Sequence, residues 1–239
     1  MNTASASRAD ADLGALPAPR RVLVWDAPVR VFHWMMVLSF AGAWLTAESE
    51  RWRLLHVTLG YTMAGLVAFR LVWGLVGTRH ARFASFVRGP RAVLQYLKAL
   101  VGRAPEHSVG HNPAGAWAIV GLLVLAAVAT GTGWAIYNEV GGEWLEDLHE
   151  GAATAMLALV GVHVAGVVVS SWLHRENLVG AMVTGRKVAP PQDAIRSAWR
   201  SVAALMLVAV LAFWGMQWST APVAGGAPVS AASQPDDDD

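Results

Sequence analysis

The chain has 239 residues, 55% of them hydrophobic and 15% charged, with a formal net charge of +1. This is a membrane-protein composition, not that of a soluble domain, and it argues against a nucleic-acid partner. The absence of cysteine excludes disulfides, thiolate-held clusters and a covalently attached c-type haem, which leaves histidine as the main metal-ligand type.

Residues 1–21 are polar and Ala-rich and read as a disordered cytoplasmic N-terminus; they lack the apolar run of a signal peptide. Five apolar segments follow. The first, 27–47, is preceded by Asp26, a good helix cap, and carries Pro28 in its first turn. The second spans 54–77. A basic stretch follows, "RHARFASFVRGPRAVLQYLKALVGR", with Val93, Leu94, Leu97 and Leu100 at helical spacing. It predicts a short amphipathic helix, lying either on the membrane surface or in an ordinary cytoplasmic loop. The third, fourth and fifth segments cover 114–137, 147–173 and 201–219. Each is near the ~20 residues a spanning helix needs. Several of the twelve tryptophans sit at segment ends, as in an aromatic belt. Residues 188–220 read as a linker plus the fifth helix, and 221–239 as a disordered acidic tail.

Basic residues set the orientation. They flank the first segment (Arg8, Arg20, Arg21), fill the loop between the second and third, and follow the fourth (Arg175, Arg186, Lys187). The loop between the third and fourth, "NEVGGEWLEDLHE", is acidic. This predicts a multi-pass protein of the bacterial inner membrane, N-terminus cytoplasmic and C-terminus periplasmic. Arg51 and Arg53, between the first and second segments, count against it.

Four of the eight histidines fall in predicted spans: His33, His56, His149 and His163. His149 and His163 are 14 residues apart, nearly four helical turns, so they share a face about 21 Å apart along the axis. Given the alternating direction of the helices, His56 lies at the depth of His149, and His33 near that of His163. An outer pair, His56 with His149, and an inner pair, His33 with His163, could each close both axial positions of a haem iron. Small residues beside them, among them Gly60, Gly65, Gly151, Gly161 and Gly166, would let a flat ring pass between helices, although small residues also favour plain helix packing. Arg70 stands 14 residues after His56, at the depth of the inner pair. It could bind a haem propionate or snorkel to the headgroups. Arg30 has a similar possible role. The reading from another class is a histidine proton relay in a transporter, which expects intramembrane carboxylates. Glu48, Glu50, Glu146, Asp147 and Glu150 all lie at helix ends instead. His111 reads as a helix-capping or surface residue, His174 as a headgroup-level residue, and His80 and His107 as solvent-exposed loop residues.

The runs "VWDAPVRVFHW", "LLHVTLGYTMAGLVAFRLVWGLVGTRHARFASFVRGPRAV", "GHNPAG", "LHEGAATAMLALVGVHVAGV" and "NLVGAMVTGRK" occur in that order. Together they resemble the bacterial cytochrome b561 family, more narrowly the cytochrome b subunits of Ni-Fe hydrogenases, over residues 22–187. The resemblance implies an all-α membrane protein: a four-helix transmembrane bundle binding two b haems, here joined by a fifth, C-terminal transmembrane helix. It implies bis-histidine ligation by His33 with His163 and by His56 with His149. It also implies electron transfer between membrane quinone and a periplasmic redox partner, either a c-type cytochrome or a hydrogenase-like oxidoreductase. His111, Asn112 and Arg70 are candidates for a quinone crevice. The fifth helix and the acidic tail depart from the family pattern.

Overall fold

A computed structural model describes residues 18–102 and 109–220. The predicted disorder of residues 1–17 and of the tail, and the loop position of His107, lie outside the described residues. All five apolar segments are helices long and apolar enough to span a membrane. In chain order these are α1 (Ala27–Thr46), α2 (Arg53–Val76), α5 (Pro113–Tyr137), α6 (Trp144–Leu173) and α8 (Arg200–Thr220). Shorter helices lie between them: α3 (Phe83–Phe86), α4 (Pro90–Val101) and α7 (Leu178–Thr184). Large side chains such as Leu45, Leu75 and Trp172 are exposed on the spans. Lipid is the natural cover for such faces, and in helices every backbone group is already paired.

The helix ends follow local chemistry. Asp26 caps α1, its Oδ1 accepting from Val29 N at 2.8 Å, and Pro28 sits in the first turn. Asn112 caps α5 by accepting from Gly115 N at 2.7 Å. This gives Asn112 a structural job at the place where a quinone contact was expected. In α4 Tyr96 is buried, while Leu94 and Leu97 face outward. This helix packs on α5 and turns apolar side chains to its surroundings, as the amphipathic pattern predicts.

Helices α1, α2, α5 and α6 pack in sequence, each against the next, and α8 lies on α1. The bundle core joins Met63 and Val67 of α2, Leu123 and Ala126 of α5 and Met156 of α6. Extensive packing of α6 runs along α5, not along α1 or α2.

A small β-ribbon closes one end of this bundle. Strand β1 (Arg20–Leu23) pairs antiparallel with β2 (Arg186–Ala189), with Arg20 opposite Ala189 and Leu23 opposite Arg186. Arg20 and Arg21, expected in a polar extension, therefore belong to the folded body. The expected linker is likewise ordered: Ile195 N donates to Leu23 O, and Ala27 N to Ala198 O. Gly185 makes the turn from α7 into β2 at φ +78°, a conformation that favours glycine. Its carbonyl accepts from both Val24 N and Trp25 N.

Candidate functional site

The outer histidines come from α2 and α6, which are not packed along each other. Their rings nevertheless approach, with centroids 6.3 Å apart. His56 Nδ1 lies 2.9 Å from Ala43 O, and His149 Nδ1 lies 2.8 Å from Ala129 O. A carbonyl only accepts, so each Nδ1 carries the proton and donates. Each Nε2 is then left with its lone pair free, the tautomer of a metal-ligating histidine. Two imidazoles sharing one metal at nitrogen–metal bonds of about 2.0–2.1 Å have ring centres about 6 Å apart. The observed pair has that spacing. Thr132 Oγ1 stands 3.3 Å from His149 Nδ1. At Gly133, a Cβ would lie 3.0 Å from the His149 ring, so this glycine lets the imidazole settle against α5.

The inner histidines come from α1 and α6. His33 and His163 are close enough for their charges to couple. His33 Nδ1 is buried without a hydrogen-bond partner, and the ring stands edge-on to Trp34 at 5.0 Å. An unpaired buried nitrogen is costly unless something binds it. Small residues beside both pairs are open rather than packed: a Cβ at Gly60, Gly65, Gly151, Gly161 or Gly166 would meet nothing within 4 Å. These glycines therefore do not act as helix-packing contacts in the way Gly42, against Leu59, does. The donor set, its tautomers and the open glycine faces fit a flat, metal-centred ring. Among the described residues no cluster of three or more His, Cys, Asp or Glu side chains forms a conventional metal site.

Arg70 does not snorkel. It is 2% exposed, donates from Nη2 to Ala81 O at 3.0 Å and stacks over Phe83 at 4.6 Å. Its Nη1 is buried without a partner. Arg30 turns instead toward α7, donating to Thr184 O at 3.1 Å. His111, read from sequence as a helix-capping or surface residue, instead packs between Trp25 and Phe86 with centroids 4.6 and 4.5 Å away. Burial pushes its pKa down to about 3, helped by the charges of Arg70, His163, Lys187 and His80. His80 also leaves the solvent, its Nε2 2.8 Å from Asp193 O. The carbonyls of Ala43 and Ala129, Thr132 and Gly133 carried no sequence signal, because their roles depend on which helix faces which.

An apolar crevice of about 510 Å³ opens between α2, α5 and α3, lined by Val67, Leu71, Phe83, Val120 and Leu123 among others. Phe83 separates it from the Arg70 guanidinium.

Fold and site together define a multi-pass membrane protein whose bundle brings histidines from separate helices close together. The chain belongs to the prokaryotic cytochrome b561 family, whose model matches residues 24–185. The expected family and the five-span all-α architecture are thus borne out, and the protein is a membrane b-type cytochrome of electron transfer. Curated relatives carry the name "Probable Ni/Fe-hydrogenase B-type cytochrome subunit". One, from Bradyrhizobium diazoefficiens, is 25% identical over 238 residues, covering 77% of this chain and 96% of its own. Another, from Azotobacter vinelandii, is 29% identical over 211 residues, covering 69% and 87%. One from Escherichia coli is 27% identical over 142 residues, covering 48% and 60%. No solved structure matches the chain.

Proposed function

We propose that this chain is the two-haem membrane subunit of a hydrogenase-like oxidoreductase, carrying electrons between that partner and quinone in the bacterial inner membrane. The outer pair carries the reading: centroids 6.3 Å apart, with both Nδ1 atoms engaged by backbone carbonyls. His56 and His149 hold the outer haem b, and His33 and His163 the inner one. Bound haem b supplies an iron couple that takes up and returns one electron without making a bond to substrate. The protein's share is to fix both imidazoles in the neutral form that carries its proton on Nδ1 and leaves Nε2 free, keep water from the metal and offer a cation. Arg70 is that cation: its buried Nη1 needs an acceptor, and a propionate beside the inner pair provides one. The crevice beside Phe83 would take the apolar part of a quinone, with His111 behind Phe86 at its inner end.

The relatives' name favours a dedicated hydrogenase subunit over a free-standing link from quinol to a periplasmic c-type cytochrome. Co-purification in mild detergent separates the two: a large oxidoreductase retained at constant ratio supports the first. A proton-relay transporter fits less well, because the outer imidazoles are locked by carbonyls and the acidic residues sit at helix ends.

Pyridine haemochrome analysis of the purified full chain tests the haem reading. Two b haems per chain are expected. His56→Ala or His149→Ala should halve the content through the outer site, and His33→Ala or His163→Ala through the inner one. Folded protein without haem would return the transporter reading to first place. One haem per chain in the wild type would remove one pair from the proposal.

A further inference from the structure

The end of the bundle closed by the β-ribbon carries a second built arrangement, remote from the outer histidines and unused by the electron path. A cavity of about 430 Å³ lies between the first turn of α1, the turn from α7 into β2, and the start of α8. Arg30, Arg186 and Arg200 line it, and no carboxylate does. No ion pair among the described residues involves any of these three arginines. Three guanidinium groups converging without an acid repel one another unless an anion joins them.

Arg30 is fixed rather than free. Its Nη1 donates to Thr184 O, and the Gly185 turn lies so close that a Cβ there would sit 2.8 Å from Nη1. Its Nε is buried and has no partner. A sealed guanidinium N–H of this kind calls for an acceptor. Arg186 and Arg200 are exposed and reach the same space from β2 and α8.

The cavity does not end at the arginines. Arg200, Ala203, Ala204 and Leu207 all line it, and their spacing puts them on one face of α8. The site is therefore amphipathic, with a cationic mouth at the ends of two spanning helices and an apolar strip leading along α8 into the bilayer. A small anion would use only the mouth, whereas an anionic amphiphile uses both parts. Arg30 lies three residues before His33, so a haem propionate is a rival anion of similar chemistry. The cavity opens toward α8, however, and no histidine lines it.

We propose that this cavity binds the headgroup phosphate of an anionic phospholipid, with an acyl chain along Ala204 and Leu207. The phosphate bridges Arg30 of α1, Arg186 of β2 and Arg200 of α8, and so ties the fifth helix to the haem bundle. Arginine suits the role, because its planar fork matches phosphate oxygens two at a time. Basic pockets between spanning helices at the membrane surface take lipid headgroups in this way.

Native mass spectrometry of the purified full chain tests the site. The detergent-washed protein is titrated with phosphatidylglycerol, with phosphatidylcholine or with inorganic phosphate. The expected result is one phosphatidylglycerol retained in preference to phosphatidylcholine and not displaced by inorganic phosphate. Arg186→Gln and Arg200→Gln should each weaken retention roughly fivefold, at about 1 kcal/mol per arginine near the surface, with haem content unchanged. Equal retention of both lipids, equal retention by the double variant, or displacement by inorganic phosphate would overturn the proposal. So would an Arg30→Gln variant that shifts the haem absorption bands while holding lipid normally, because its anion would then be the propionate. Should the double variant fail to fold, the wild-type chain decides alone. Phosphatidylglycerol must then raise its thermal midpoint more than phosphatidylcholine does, and equal shifts overturn the site.

Discussion

At the scale of single residues, the paired histidines depend on neighbours that have no chemistry of their own. Gly133 is the sharpest case. A methyl there would lie 3.0 Å from His149 Cε1 and 3.2 Å from Nδ1, tighter than ordinary contact. Gly133→Ala should push the ring off the Ala129 carbonyl and weaken the outer haem site while leaving the inner one intact. Spectral haem quantification after mild detergent washing checks this; full retention of both haems would show that the ring has room to give. His111 offers a prediction of a different kind. Its pKa falls from 6.5 in the unfolded chain to about 3 when folded, because burial and surrounding cations disfavour the charge. Between those values the unfolded chain binds more protons. Stability therefore falls as pH drops below 6.5, by up to about 1.4 kcal/mol per pH unit, and is unaffected by this group above that. His111→Gln should remove this component, so its thermal midpoint should fall less than the wild type's between about pH 7.5 and about pH 5. Equal losses in the two proteins would rule out a buried neutral His111. The approach of His56 to His149 was legible in the sequence because helical arithmetic fixes depth without any contact being known. Gly133 and the Ala43 and Ala129 carbonyls were not, since any helix could have presented such groups to a ring.

At the scale of elements, one carboxylate ties together the ends of two spanning helices. Asp26 is 1% exposed and accepts from Val29 N, from Trp73 Nε1 at 3.1 Å and from Thr78 Oγ1 at 2.6 Å. It therefore caps α1 and pins the last turn of α2 beside it. Arg70 and its Ala81 contact lie in the same region, so this clamp also sets where the buried cation stands. Asp26→Ala strands the Trp73 N–H and the first donors of α1. The expected loss is roughly 3–5 kcal/mol, from the cap and the unsatisfied buried groups together. Asp26→Asn keeps the cap and should lose roughly a third of that, since its amide cannot accept from the Trp73 N–H. Thermal midpoints in detergent should rank wild type, Asn, Ala; an Ala variant as stable as wild type would mean the clamp is redundant. The capping role of Asp26 was legible from its place before Pro28. Its partners Trp73 and Thr78 were not, because hydropathy gives the length of a span but not which helix ends meet. The β-ribbon escaped for a related reason. Two four-residue strands separated by four spanning helices have no periodicity long enough to read, and their basic residues read first as topology signals.

At the scale of the whole molecule, the uneven charge of the two ends gives the bundle a direction. The turn from α5 to α6, residues 138–143, contains Glu139 and Glu143 and no lysine or arginine, and α6 opens with Glu146 and Asp147. The opposite end carries Arg79, Arg82, Arg88, Arg91 and Lys98 after α2, and Arg175, Arg186, Lys187 and Arg196 between α6 and α8, with Arg200 opening α8. Basic residues close to span ends favour retention in the cytoplasm, so the orientation expected has the acidic turn outside and the ribbon, the arginine cavity and His111 inside. In that orientation the outer histidines would lie nearest a periplasmic partner, and the Phe83 crevice would lie in the cytoplasmic leaflet. The chain supplies a clean test of this, because it contains no cysteine and any introduced thiol is unique. Glu143 and Gln95 are both exposed, on opposite ends of the bundle. In intact cells a membrane-impermeant maleimide should label Glu143→Cys at once and Gln95→Cys only after the inner membrane is opened. The reverse pattern would invert the molecule, and a periplasmic partner would then face the inner histidine pair rather than the outer one. Under the proposed function, the two patterns would therefore decide which haem meets the oxidoreductase and which meets quinone, a question that neither haem content nor the spectra of the histidine variants can answer.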